Sequence, residues 1–409
     1  MNPSKKVYLQ PMMQNGNRTP DPTDSSSPPT GPEVLRIDTI VSGGDGITRH
    51  PDGFVVFVPR TAAGEQVEVN YIEVHKQWRR ARVIRVLESS PHRREPPCPY
   101  YARCGGCQLQ HLDYNNAQLP AKAAIIRDSL RRIGKIDAAL PEVEASEHEF
   151  GYRNRVSLEL NRRSCEAVAG YHDINYPTVL VGIDECPLAE QPINDAWRAL
   201  RSIWDRATDC LPPGRELRLT FRANSEGAVG LAIEGGRGPG RCGELLDITG
   251  GLFAVWVLDP RGNITDRAGL PFLDERIGAY TVPLAGTGFL QVNRETAARL
   301  DSYVRGQCGT VRGGRVVDAY CGYGIRALEL ARDGASVVGI EHDRYAVKTA
   351  NQIAGQNGIP ARFVMGDVER FLGRFTPADT VIVNPPRRGV TRPVIDILME
   401  RDVSRIVYV

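Results

Sequence analysis

The sequence predicts a multidomain protein: a small N-terminal β-barrel, a central α+β region with a cysteine cluster, and a C-terminal α/β domain of Rossmann-like, doubly wound type. Three observations predict it. Residues 33–90 hold short segments rich in Val, Ile and aromatics, separated by Gly, Pro and Asp, the spacing of a small barrel. Cys98, Cys104 and Cys107 fall within ten residues. Beyond residue 300, strand-like and helix-like segments alternate strictly, the rhythm of a parallel sheet covered by helices.

Composition sets the frame. The chain has 409 residues, 41% apolar and 24% charged, which excludes a wholly disordered, collagen-like or coiled-coil protein. No apolar run approaches the ~18 residues of a membrane span. Lys5 and Lys6 are followed by no apolar stretch of the kind a signal peptide needs. A cytoplasmic location without membrane contact is therefore expected. The net charge of +2 argues neither for nor against nucleic acid.

Taken in order, residues 1–32 carry seven prolines and a Ser/Thr/Asp-rich stretch and read as a disordered tail. In the 33–90 module, strands are expected at 34–41, 53–58, 66–75 and 82–87, with turns at Gly43-Gly44-Asp45-Gly46, Pro51-Asp52-Gly53 and Ala63-Gly64. Lys76, Arg79, Arg80, Arg82 and Arg85 surround Trp78. They form either a phosphate-binding strip or a solvated cationic face. Residues 91–300 hold the cysteines and then strand signals at 155–160, 217–221, 228–233 and 252–258. Residues 301–409 read as strands at 315–319, 336–341, 361–365, 380–383 and 405–409, with helices at 325–333, 345–357 and 392–401.

The chemistry-bearing residues gather at strand ends of this last domain. The first strand runs into Asp318-Ala319-Tyr320-Cys321-Gly322-Tyr323-Gly324, and glycines in a first βα turn let a cofactor approach the backbone. Glu341 closes the second strand, where an acid can accept both hydroxyls of a ribose. Asp367 follows the third, within reach of an adenine edge, and Asn384-Pro385-Pro386-Arg387 follows the fourth. Ligands of open α/β sheets bind at these carboxyl ends. No Gly-x-x-x-x-Gly-Lys-Ser/Thr segment is present, so a nucleoside cofactor without phosphate clamps, S-adenosylmethionine, satisfies the pattern best. A different nucleotide-binding fold with accidental acids is the competing reading. In a chain without an export signal, Cys98, Cys104 and Cys107 point to metal or redox chemistry rather than disulfides.

With Gly288-Phe289-Leu290-Gln291-Val292-Asn293 added to the barrel, the Cys98-x5-Cys104-x2-Cys107 spacing and the segment ending Asn384-Pro385-Pro386-Arg387-Arg388-Gly389, the chain resembles the RNA uracil-5-methyltransferase family. It is similar to the branch with a TRAM domain and a 4Fe-4S cluster, over about residues 33–409. Gly151-Tyr152-Arg153-Asn154-Arg155 also resembles a family segment. The resemblance implies a TRAM (OB-like) RNA-binding barrel at 33–90 and a cysteine-bearing central domain at 91–300. It implies a methyltransferase domain from 301, and a monomer acting on ribosomal or transfer RNA. It implies cluster ligation by Cys98, Cys104, Cys107 and Cys186 of Cys186-Pro187; a structural zinc would also accept four thiolates. The implied cofactor set is Gln291, Tyr320, Glu341, Asp367 and Asn384.

Carbon-5 of uracil is a poor nucleophile. The family activates it with a cysteine thiolate that adds to carbon-6, and a base later removes the carbon-5 proton. The resemblance places that cysteine just after the fifth strand, so nucleophile and base are expected beyond Val409 and the domain is expected to be incomplete. No catalytic residue is assigned within the 409 residues, and Cys321 matches a family position that is not the nucleophile. Asn384 stands where the family usually has Asp. Asn-Pro-Pro also occurs in adenine amino-methyltransferases, which follow it with a base-stacking aromatic; Arg387 stands at that place. A catalytically inactive RNA- and cofactor-binding protein is the third reading.

Overall fold

The computed structural model describes residues 31–163 and 166–409. The expected tail, residues 1–32, lies outside them except for its last two positions, as does Cys165. The described chain forms two compact units. One takes residues up to Arg94 together with His111–Pro141; the other takes Glu95–Gln110 and Glu142–Val409.

The first unit carries six strands: β1 (Glu33–Arg36), β2 (Thr39–Ile40), β3 (Asp45–Arg49), β4 (Val55–Pro59), β5 (Gln66–Val74) and β6 (Trp78–Glu88), in the order β1-β5-β6-β4-β3-β2. Alternation of side chains about each strand sends Val56, Val58, Val67, Val69 and Ala81 inward, each 0% exposed. Asp45 and Gly46, read from sequence as part of a turn, instead open β3. Helix α1 (Leu119–Ser129) belongs to this unit, so it reaches beyond the expected 33–90. Burial raises the pKa of Glu65, but hydrogen bonds from Arg93 (Nη2–Oε2 2.7 Å) and the Ala62 amide (2.8 Å) hold it below the usual range.

The cationic strip expected on this unit is largely spent internally. Arg79 lies 3.8 Å over the Phe54 ring, Arg80 binds Asp45 at 2.7 Å and Arg85 binds Glu68 at 2.6 Å. Lys76 and Arg82 are exposed.

The second unit begins with β7 (Arg155–Arg163), β8 (Glu166–His172), β9 (Leu180–Gly182), α2 (Gln191–Ser202), α3 (Trp204–Cys210), β10 (Glu216–Ala223), β11 (Val229–Glu234), α4 (Cys242–Thr249), β12 (Ala254–Leu258) and β13 (Ile264–Gly269). Its seven strands run β13-β12-β11-β10-β7-β8-β9, and only the β11–β12 pair is parallel. Trp197 of α2 packs edge-on against Phe221 of β10, inside a core with Leu158, Leu160 and Leu217. A hairpin of β14 (Leu273–Ile277) and β15 (Tyr280–Leu284) follows, then α5 (Arg294–Gln307). Residue 300, the expected domain boundary, falls inside α5. Tyr280, Val282 and Leu284 of the hairpin share a core with Leu328 and Val337.

The rest is β16 (Arg315–Ala319), α6 (Ile325–Arg332), β17 (Ser336–Glu341), α7 (Arg344–Gln356), β18 (Ala361–Met365), α8 (Val368–Phe371), β19 (Ala378–Val383), α9 (Arg392–Glu400) and β20 (Val403–Tyr408). The sheet is wholly parallel, in the order β18-β17-β16-β19-β20. Three strands begin and end where the sequence places them. In β16 and β17 the Val and Ile positions are mostly buried, whereas β18 buries only Phe363. The edge strand β20 pairs with β19 and leaves Ile406 and Tyr408 exposed. No helix among the described residues is long and apolar enough to cross a membrane.

Candidate active site

Strand order reverses about β16, with β17 and β18 on one side and β19 and β20 on the other. Connections leaving a parallel sheet in opposite directions open a crevice at the carboxyl ends of the two central strands. Tyr320 and Asn384 flank that point, and the Asn384 amide donates to the Ala319 carbonyl at 3.4 Å. Tyr320 holds a left-handed backbone (φ 64°), a costly state for a bulky residue and one that clusters at functional sites.

The glycine turn follows. Gly324 has φ 74°, and a Cβ there would run into the Phe363 ring. Gly322 has φ 55° and nothing within 4 Å of where its Cβ would stand, so the turn faces open space. Its amide donates to Glu341 Oε2 at 2.9 Å. Glu341 Oε1 accepts the amides of His342 (2.7 Å) and Asp343 (2.9 Å). A carboxylate has about four acceptor positions, so three backbone donors fix the group and leave capacity for a ligand hydroxyl.

Asp367 begins α8, and its Oδ1 lies 3.1 Å from His342 Nδ1. The Gly366 amide donates to the Glu341 carbonyl at 2.9 Å, drawing the end of β18 to the end of β17. Tyr320, Glu341, Asp367 and Asn384 thus share one edge of the sheet. Gln291 arrives separately, from the loop before α5, and is exposed. No hydrogen bond among the described residues joins its side chain to the other four. Its segment does meet the glycine turn: a Cβ on Gly288 would stand 2.6 Å from the Tyr323 hydroxyl.

Cys98, Cys104, Cys107 and Cys186, three from one segment and one from the loop before α2, line a single cavity of about 80 Å³. None is in a disulfide. Cys186 is clasped by Asn194, whose Oδ1 accepts its amide (2.9 Å) and whose Nδ2 donates to its carbonyl (3.1 Å). Burial, with the neighbouring thiols adding, pushes the Cys107 thiol up to about 11. Among the described residues, no three His, Cys, Asp or Glu side chains are arranged round a point that would hold a single metal ion.

A family model, the methyltransferase small domain, matches residues 306–400. The crystal structure of the Pyrococcus abyssi tRNA (uracil-54, C5)-methyltransferase in complex with S-adenosyl-L-homocysteine shares the fold. Its TM-score is 0.69 at 24% identity, over 92% of this chain and 90% of that one. An uncharacterized RNA methyltransferase of Thermosynechococcus vestitus is 33% identical over 397 residues, covering 92% of this chain and 87% of that protein. The chain belongs to this family of RNA methyltransferases. A Protochlamydia amoebophila relative, also named an uncharacterized RNA methyltransferase, is 31% identical over 91% of the chain and 86% of its own length.

Within this methyltransferase, sequence reasoning passed over three buried groups. Asp318 entered there only as the start of the glycine-turn segment. It is 1% exposed, neither carboxyl oxygen has a hydrogen-bond partner, and the nearest cation is Arg326 at 3.8 Å. Burial pushes its carboxyl up to about 6, against the pull of Arg326. Arg222, 2% exposed, donates to the Gly288 carbonyl, and burial lowers its pKa to about 10. The sequence gives no signal of its burial, because Arg222 alternates with Leu219 and Phe221, on the same face as Arg218 and Thr220. Asn154, 3% exposed, holds the Gln291 carbonyl at 3.1 Å. Burial lifts the Cys321 thiol well above the usual value, and a protonated thiol does not attack.

Proposed function

We propose that this methyltransferase places a methyl group on carbon-5 of uridine in RNA, with S-adenosylmethionine as donor. The observation that carries the reading is the Glu341 carboxylate, fixed by the Gly322, His342 and Asp343 amides at the reversal point of the sheet. A carboxylate held there can accept a ribose hydroxyl and needs no phosphate clamp. Asp367 is assigned to the adenine edge, Tyr320 and Asn384 to the reacting end of the donor, and Gln291 to its remaining side. Asn384 offers a neutral carbonyl acceptor in place of a charge. The donor supplies the methyl group; the protein's part is to orient it and to exclude water. The thiolate that adds to carbon-6 is assigned to none of the described cysteines.

The six-stranded sheet of the first unit is assigned as a TRAM-type, OB-like RNA-binding module, with Lys76 and Arg82 as its phosphate contacts. Cys98, Cys104, Cys107 and Cys186 are assigned to a 4Fe-4S cluster. The donor set fits one. Four thiols from two distant segments surround one cavity, burial and the neighbouring thiols oppose ionisation of Cys107, and bound iron reverses that balance. A polynuclear cluster also holds its thiolates farther apart than a single ion does. When bound, it would tie residues 98–107 to Cys186.

An adenine amino-methyltransferase finds less support, because the residue after Asn384-Pro385-Pro386 is the exposed Arg387 rather than a stacking ring. The test is nucleoside mapping of ribosomal and transfer RNA from cells with and without the gene. Loss of 5-methyluridine at a defined position is expected. Unchanged 5-methyluridine, or loss of a methylated adenosine instead, would refute the assignment.

A further inference from the structure

Asn154 stands where three segments of the second unit meet, and the roles assigned above leave it unused. It directly precedes β7, the neighbour of β10 in the sheet, and it serves the loop that carries Gln291. Its amide donates to the Val292 carbonyl at 2.9 Å, and its own carbonyl accepts the Ala223 amide at 2.9 Å. Its Nδ2 donates to the Gln291 carbonyl at 3.1 Å. Two successive carbonyls of an irregular loop are therefore satisfied by one residue. Backbone acceptors in such loops need donors from outside, and Asn supplies a short side-chain NH2 that Asp lacks.

The residues just before Asn154 face the thiol cavity. The Gly151 amide donates to the Pro187 carbonyl (2.8 Å) and the Arg153 amide to the Leu188 carbonyl (2.8 Å); the Glu190 amide returns to the Arg153 carbonyl (2.9 Å). Pro187 and Leu188 directly follow Cys186, and Arg153 lines the cavity itself. A continuous run of hydrogen bonds thus leads from Cys186, through 151–154, to Gln291.

We infer that Asn154 is a positioning residue that sets the Gln291 segment for the donor and couples it to the group held by the four thiols. The inference rests on the donor site and cluster proposed above. A group bound at Cys186 holds Pro187 and Leu188 in place, these hold 151–153, and Asn154 passes that order to Gln291 and Val292. Contiguity supplies a route; coupling is an energy that must be measured.

The test uses the full chain, iron-loaded and chelator-stripped, as wild type, Asn154→Ala and the nearly isosteric Asn154→Asp. Amide exchange is read by mass spectrometry over residues 286–293, and S-adenosylhomocysteine affinity by calorimetry. Both variants are expected to speed exchange and weaken binding about tenfold, a usual size for coupling between sites. Iron content should stay at the wild-type value, which a general loss of structure would not spare. Stripping iron from the wild type should reproduce both changes, and stripping the variants should add nothing. Unchanged exchange and affinity in both variants overturns the positioning role. Equal effects of stripping in all three chains, or a wild type that takes up no iron, overturns the coupling. A wild type that fails to bind S-adenosylhomocysteine defeats the functional reading instead, while the exchange measurement still decides the role of Asn154.

Discussion

The Gly322 amide donates a 2.9 Å hydrogen bond to Glu341 Oε2, so the glycine turn after β16 and the acid that ends β17 form one rigid edge. Each residue alone is a weak sign of a nucleoside site. Joined, they present a fixed carboxylate beside a backbone turn that has nothing in front of it.

The two glycines of the turn should respond differently to substitution. Both hold positive φ, so an alanine at either is strained by about 1 kcal/mol or more. Gly324→Ala also drives a methyl into the Phe363 ring and should lower the melting temperature the more. Gly322→Ala points its methyl into open space, so it should melt closer to wild type yet bind S-adenosylhomocysteine poorly. Thermal melts paired with calorimetry distinguish the two.

Asp318 gives the domain a pH signature. Its folded carboxyl, at about 6, lies above the ordinary value of 3.8, so the native state binds its proton more tightly than the unfolded state. That contribution is full below pH 4 and is lost as pH rises through 6, by on the order of 3 kcal/mol. Asp318→Asn should flatten the stability profile between pH 4 and 6. Melting temperatures across that range would show an unaltered slope if the carboxyl were already ionised throughout.

The thiol cavity should be all or none. Cys186→Ser removes one thiol and keeps the backbone groups that Asn194 clasps. Iron content and visible absorption of anaerobically purified protein should fall to background, as they should for Cys107→Ser. Stoichiometric zinc in the wild type, without visible absorption, would assign the thiols to a structural zinc site.

RNA binding by the first unit should separate its cations. Lys76→Ala with Arg82→Ala is expected to lower the salt dependence of RNA affinity by about two in slope. Arg85→Ala should change it far less, because Arg85 already binds Glu68. Equal effects from all three positions would mean that the pairing is given up on contact with RNA.

The parallel sheet was legible in the sequence because its central strands are short runs of Val, Ile and Ala that are largely buried, as in Val316-Val317 and Val381-Ile382-Val383. The hairpin Leu273–Ile277 and Tyr280–Leu284 was not, since each strand is short and mixes Asp, Glu, Arg and Pro with its buried positions. β3 was hidden by glycines that looked like a turn. The strand-end acids were readable from spacing alone, and the four cysteines from their motif. Asn154 was not recognised as a joint, because its partner Gln291 lies 137 residues away and nothing local marks the contact. The pairing within the basic strip was hidden for a similar reason: Asp45 and Glu68, which pair with Arg80 and Arg85, become neighbours only through the strand order.

The most direct measurement is a calorimetric titration of the purified chain with S-adenosylhomocysteine, set beside Glu341→Ala. The account predicts one site per chain in the wild type and binding weakened at least about tenfold in the variant, the loss expected when a charged hydrogen-bonding partner is removed. Absence of binding to the wild type, or equal affinity in the two proteins, would contradict it.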